Sequence, residues 1–419
     1  LSIIDGIWCY FKQLREEYAK KPLISMRKTP FLLKIRRIMR IETKTIHSGY
    51  HAEGPNRPVT PPIHPSTIWT HPESGFDGSP GSYGYQRYGN PNRSEIETIL
   101  ATLEGGEICT TFSSGMAAIT AVFQAFEPGD HVIVCNDVYH GTRAILNGIM
   151  QRWGLQSTYV DVTDPANVEA ALTTRTRLVW LETPSNPMLL ISDIEAIAKR
   201  VRGSSVPDAP VLIGVDNTWA TPVLQRPLEL GADLVMHSVT KYIGGHSDIL
   251  AGAIIVKEKG EFSDRIQVTQ KQIGAVISPF EAWMLVRSVK TLVARMRMHC
   301  DNARKIADFL NSHSRIEKVY FPGLPDAQGH EIAKKQMSDF GGMISMLFDG
   351  KKEQIMQGIA RARLISVATS LGGLESLWEH RQSSEGPLSA TPPNLVRLSV
   401  GIEHADDLIE DIDQVLKRL

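Results

Sequence analysis

Five short apolar runs between residues 131 and 257 constrain this chain more than any other feature of its sequence. They are HVIVCN (131–136), RLVWLETP (177–184), PVLIGVDN (210–217), DLVMHSVT (233–240) and GAIIVK (252–257), and none alternates cleanly between apolar and polar residues. A strand that is apolar on both sides has to be covered on both faces. Helical text such as DIEAIAKRVRG lies between most of the runs, and RSEIETILATLEGGE precedes them. Strand and helix patterns that alternate in this way predict βαβ units and an α/β fold with a largely parallel sheet.

The order of elements changes further along. Leu285, Val289, Leu292, Val293 and Met296 recur at three- and four-residue intervals, which predicts one long helix from Phe280 onward, leading into a second domain. IEKVYFPG, GGMISMLFDG and LVRLSVGIE then read as strands, with helices around 300–311 and 404–418, so the C-terminal part is expected to be a smaller α+β domain. The expected division is an arm over 39–92, a large domain over 93–288 and a small domain over 289–419. The arm is rich in Pro, Gly, His and Tyr and is expected to cover something. Residues 1–38 are basic and carry no repeated apolar stripe. They read either as an organelle-targeting peptide, weakened by Asp5, Glu16 and Glu17, or as an appended extension, and we set them outside the fold argument.

Composition removes several classes of function. Lys plus Arg number 45 against 46 Asp plus Glu, so there is no electrostatic reason to expect nucleic acid or an anionic membrane as a partner. The four cysteines, Cys9, Cys109, Cys135 and Cys300, are scattered without paired spacing, which argues against a disulfide framework or a zinc site and fits a reducing, cytoplasmic setting. No run approaches the roughly 18 apolar residues of a membrane span, and the histidines form no HExxH doublet. The expected ligand is a small molecule, and no metal is expected.

In an open α/β sheet, ligands gather at the carboxyl ends of the strands. Ser114, Gly115 and Met116 open a helix there, and its free N–H groups suit a phosphate, although Ser-Gly alone is common punctuation. Tyr139 offers a flat ring or plain rim packing. Glu182, Ser185 and Asn186 follow the next strand. Asp216 ends a strongly apolar run, which drags a carboxylate inward either as a structural cap or as the counter-charge of a protonated ring.

The last of these strands delivers Ser238, Thr240 and Lys241, followed by Gly244 and Gly245. A lysine at the inner end of a strand needs a partner or a chemical task. Two hydroxyls beside an amine, an acid on the neighbouring strand, an aromatic face and an anion cup are the parts required by pyridoxal 5'-phosphate, which binds covalently to lysine.

The stretch VDNTWATPVLQRPLELGADLVMHSVTKYIGGHSD resembles the signature of the pyridoxal-phosphate-dependent Cys/Met metabolism family, the transsulfuration enzymes. YGYQRYGNPNR, FSSGMAAI, ETPSNP, SVKTLVARM, SLGGLESL and LVRLSVGIE extend the likeness from about Thr43 to the C-terminus. It implies an aspartate-aminotransferase-type fold and a small sulfur-containing amino acid as substrate. It also implies a homotetramer built from two tight dimers with shared active sites.

By the same resemblance Lys241 would carry the cofactor and act as the catalytic base. Asp216 would face the ring nitrogen, Tyr139 would stack on the ring and Asn186 would reach the phenolic oxygen. Gly115, Met116, Ser238 and Thr240 would hold the phosphate, helped by Tyr85 and Arg87 of a neighbouring subunit. Arg397 would grip the substrate α-carboxylate with Ser370 beside it.

Three departures bear on the reaction. Thr369 stands where γ-acting cystathionine enzymes commonly have Glu, Gly141 stands where methionine γ-lyases have Cys, and EHRQSSEG (379–386) replaces a frequent HPA segment. The expectation is therefore a cystathionine β-lyase, with a γ-lyase or a γ-replacement enzyme as the alternative and a catalytically silent pyridoxal-fold protein as the non-enzyme alternative. Arg381 and Glu385 are expected either as distal substrate contacts or as parts of a solvated loop.

Overall fold

In the computed structural model the described residues are 39–50, 57–75, 82–386 and 391–419, so the expectation for residues 1–38 falls outside them. The first sheet is built from β1 (Ile108–Phe112), β2 (His131–Cys135), β3 (Gln156–Val160), β4 (Thr176–Glu182), β5 (Leu212–Asp216), β6 (Leu234–Ser238) and β7 (Gly252–Val256). All five apolar runs are strands, and their side chains are buried on both faces, as Val132, Ile133, Leu178, Val179, Ile213, Val215 and Ile254 show.

The strand order is β1-β7-β6-β5-β4-β2-β3. From β6 to β3 the pairing is parallel, whereas β7 runs antiparallel to both β6 and β1. The parallel strands therefore bring Glu182, Asp216 and Ser238 to one edge of the sheet. Two helices matter for that edge: α1 (Pro91–Glu104) and α2 (Gly115–Phe123).

A second sheet, in the order β10-β11-β12-β9-β8, consists of β8 (Ile316–Tyr320), β9 (Met343–Phe348), β10 (Ser366–Val367), β11 (Leu377–His380) and β12 (Leu395–Ser399). It has an apolar cluster of its own around Phe348, Trp378, Leu398 and Leu408. β12 is a central strand, paired antiparallel with β11 on one side and β9 on the other. Residues 41–419, with both sheets, form one compact unit.

The single long helix expected from Phe280 is two helices, α3 (Pro279–Val289) and α4 (Leu292–Asn311). The apolar stripe continues through the break, which is why periodicity does not show it. At the junction the Ser288 carbonyl accepts from the Thr291 N–H (3.1 Å), the Thr291 hydroxyl (3.0 Å) and Arg295 Nη2 (3.1 Å), in place of a regular helical bond. Arg295 is buried, and it also donates to the carbonyls of Tyr242 (2.5 Å) and Ile243 (3.3 Å). The broken helix thus pins the turn that follows Lys241.

Candidate active site

Lys241 sits in a tight turn after β6, where its N–H donates to the Ser238 carbonyl at 3.0 Å and the Gly245 N–H donates to the Lys241 carbonyl at 2.7 Å. The loop after β10 closes over this turn. Gly372, at φ 76°, comes so near that a Cβ there would lie 2.6 Å from the Tyr242 nitrogen. The approach brings Ser370 to the lysine, and Lys241 Nζ donates to Ser370 Oγ at 2.8 Å. Burial lowers the lysine pKa to about 8, the Arg397 cation pushes the same way, and Glu379 opposes them.

Asp216 is buried beside Glu182, its direct partner across the parallel β4–β5 pair. Asp216 Oδ1 accepts from the Thr218 hydroxyl (2.5 Å) and the Thr218 N–H (3.0 Å), and Glu182 Oε2 accepts from the Tyr139 N–H (2.7 Å). Burial raises the pKa of both acids, and the Asp216 charge raises Glu182 further. Two adjacent buried carboxyls hold a proton between them more readily than two negative charges.

Tyr139 stands at the start of the helix His140–Ile145. A Cβ at Gly141 would run into the Tyr139 ring and lie 2.8 Å from Met116 Sδ, so the glycine lets ring and thioether meet. Met116 belongs to the first turn of α2, which Ser114 caps by accepting from the Ala117 N–H at 3.1 Å. Gly115 packs against Ser238, with space for a Cβ only 3.0 Å from the Ser238 hydroxyl. The Thr240 hydroxyl donates to the Ala251 carbonyl (3.1 Å) and accepts from the Ala251 N–H (3.0 Å), which joins the turn after β6 to the residue before β7.

Arg397 is buried in the middle of β12, a central strand of the second sheet. It donates to Asn186 Oδ1 (3.0 Å), to the Ser370 carbonyl (3.3 Å) and to Glu379 Oε2 (2.9 Å). Burial lowers its pKa to about 10; Arg381 adds to the shift, while Glu379 and Glu385 oppose it. The site thus joins Lys241, Ser370, Arg397 and Asn186 through direct contacts.

Tyr85 pairs with Ile68 in an isolated antiparallel bridge. Arg87 donates to the Lys271 carbonyl at 2.8 Å and stacks over Tyr88 and Tyr85, at 4.7 and 5.4 Å from the ring centroids. Sequence reasoning missed Glu379 as a site residue, and Arg381 is no part of a solvated loop. Glu379 faces Arg397 directly across β11–β12, and Arg381 is buried, donating to Glu379 Oε2 (2.9 Å) and Glu385 Oε1 (2.6 Å). A charged residue in register with a strand-borne arginine is the signal that could have found Glu379.

The donor set fits a planar, phosphorylated, carbonyl-bearing cofactor. It combines a buried lysine with a lowered pKa, a buried acid pair, a helix N-terminus cradled by Gly115 and Ser238, and a ring beside it. Residues 42–417 match the family of Cys/Met metabolism PLP-dependent enzymes. The chain belongs to that family. Its cofactor is therefore pyridoxal 5'-phosphate, and its fold is the pyridoxal-enzyme fold expected above. It is 44% identical over 380 residues to the cystathionine gamma-synthase of Mycobacterium tuberculosis, covering 89% of this chain and 96% of that one. It is 39% identical over 386 residues to the cystathionine beta-lyase of Coxiella burnetii, covering 90% and 97%. The crystal structure of metB from Corynebacterium glutamicum superposes with a TM-score of 0.86 at 41% identity, covering 91% and 99% of the two chains. Among the described residues, no helix is long and apolar enough to cross a membrane.

Proposed function

We propose that this enzyme cleaves the β carbon–sulfur bond of cystathionine, converting it with water to homocysteine, pyruvate and ammonia. The observation that carries the reading is the Lys241–Ser370–Arg397 cluster, in which a lysine with its pKa lowered to about 8 lies beside a buried arginine. Lys241 is the residue that binds the cofactor and, once released, the base that accepts the substrate α-proton; a pKa near the working pH suits that exchange. Arg397 holds the α-carboxylate with charge-assisted bonds, and Ser370 steadies the amine between them. Bound pyridoxal phosphate supplies the electron sink for the negative charge that develops at the α-carbon.

The other site residues divide the work of holding the cofactor. Asp216 would face the ring nitrogen, Tyr139 would lie against the ring and Asn186 would reach the phenolic oxygen. Gly115, Met116, Ser238 and Thr240 would hold the phosphate. Tyr85 and Arg87 would serve the site of a partner subunit in a homotetramer of paired dimers. The scattered, unpaired and buried Cys109, Cys135 and Cys300 suit a cytoplasmic enzyme.

Thr369 supports the β-cleavage reading. It is neutral, and it donates its hydroxyl to Glu379 Oε1 at 2.8 Å, so it offers no charge to a distal ammonium. A second reading, γ-replacement on an O-acylated homoserine, draws on the 44% identity to a cystathionine gamma-synthase. Product analysis with cystathionine decides between them. Pyruvate with homocysteine supports the first reading, 2-oxobutyrate with cysteine contradicts it, and consumption of O-acetylhomoserine with sulfide but not of cystathionine installs the second.

A further inference from the structure

The carboxylate of Glu379 is shared. Its Oε2 accepts from Arg397 Nη2 and from Arg381 Nη1, each at 2.9 Å, while its Oε1 accepts from the Thr369 hydroxyl at 2.8 Å. Arg381, Glu379 and Arg397 are each about 4% exposed, so none of the three charges is diluted by bulk water. Arg381 is held at its far side by Glu385 Oε1 at 2.6 Å.

A buried Glu379–Arg397 pair without Arg381 would be a neutral unit. The guanidinium would be satisfied by its own strand neighbour, and an incoming carboxylate would have to compete with that neighbour for it. With Arg381 on the same oxygen and Glu385 on its far side, the Glu379 oxygen is divided between two guanidinium donors, and Arg397 holds less than the whole of that carboxylate and keeps donor capacity for an external one. Arg381 acts on Arg397 as a like charge, while Glu379, Glu385 and Glu182 act in the opposite direction. Arg381 is also the charged group that acts most strongly on the Tyr139 phenol, which places its influence within the active site.

We propose that Arg381 is a positioning residue for substrate carboxylate recognition, acting through Glu379 by drawing that carboxylate's charge away from Arg397. Arg381 itself touches no substrate in this account. The inference rests on the proposed role of Arg397, and it is independent of which carbon–sulfur bond is broken.

The test uses two unreactive probes on the pyridoxal-phosphate-loaded enzyme, glycine and methylamine, with apparent affinity read from the change in the cofactor's visible absorbance. Both carry the amine, and only glycine carries the carboxylate. Arg381→Gln should weaken glycine binding by about tenfold, the scale of one lost charge-assisted contact, and leave methylamine unchanged. Arg381→Lys, which keeps the charge, should stay within about threefold of wild type. The double variant Arg381→Gln/Glu379→Gln should recover glycine affinity, because the carboxylate bonded to Arg397 is gone.

Equal weakening of glycine and methylamine in Arg381→Gln would mark a merely structural role, and failure of the double variant to recover would overturn the proposal. Should Arg381→Gln not fold, the double variant is compared with Glu379→Gln alone: equal glycine affinity supports the proposal, and a tenfold loss refutes it. If the wild-type enzyme binds glycine no better than methylamine, the proposed role of Arg397 fails and this inference with it. If wild type discriminates and the Arg381 variants do so equally well, only this inference fails.

Discussion

Lys241 Nζ donates to Ser370 Oγ at 2.8 Å, although 129 positions separate the two residues. Ser370 holds a φ of 131°, a region that residues other than glycine rarely enter. Such a backbone costs on the order of 1–3 kcal/mol and tends to persist where surrounding structure over-determines it, as the approach of Gly372 to Tyr242 does here. Ser370→Gly and Ser370→Ala both remove the hydroxyl, but only glycine relieves the backbone. Urea unfolding should find Ser370→Gly more stable than Ser370→Ala by roughly 1–3 kcal/mol; equal stabilities would contradict the strain.

The lowered lysine pKa also predicts a pH dependence. In the folded chain Lys241 titrates near 8, against an ordinary value of 10.5, so between those values the unfolded chain binds the additional proton. Stability therefore rises with pH across that window, and the full cost of the buried ammonium stands below pH 8. With cofactor-free protein, Lys241→Met should be the more stable form at pH 7, by a margin on the order of 3 kcal/mol. Its advantage should shrink as pH rises from about 8 to about 10.5. A margin that does not change with pH would contradict the shift.

Gly141 predicts a steric effect. A side chain at this position meets the Tyr139 ring and Met116 Sδ, so Gly141→Ala should displace the ring from its place over the first turn of α2. Cofactor retention after dialysis should fall by about tenfold or more while far-UV circular dichroism stays unchanged. Unaltered retention would show that the ring has room to move without consequence.

Much of this site was legible because its residues follow apolar runs. Asp216 and Lys241 sit at strand ends that composition alone marks, and parallel pairing then brings them to one edge. The direction of β7 was not legible, because an apolar strand buried on both faces looks the same whichever way it runs. The helix break at Lys290–Thr291 was hidden because it depends on Arg295 and the Ser288 carbonyl rather than on the stripe. Glu379 and Arg381 were missed as a pair, since charges at a strand end read as solvated until the strand opposite is known.

The arm leads to a prediction about assembly. Arg87, which donates to the Lys271 carbonyl in this chain, is proposed to serve the phosphate site of a partner subunit. Mixed oligomers of Arg87→Ala and Lys241→Ala chains should regain activity, because some hybrid sites receive both intact residues. Absence of recovery after demonstrated subunit exchange would contradict shared sites.

The central claim is that the buried amine of Lys241 is the cofactor's attachment point. It is tested most directly by reducing the loaded enzyme with borohydride and locating the modified lysine by peptide mass mapping. The account predicts a single pyridoxyl-phosphate adduct on Lys241, absent from Lys241→Ala. An equivalent adduct on another lysine of the wild-type enzyme, or an unchanged adduct in the variant, would contradict it.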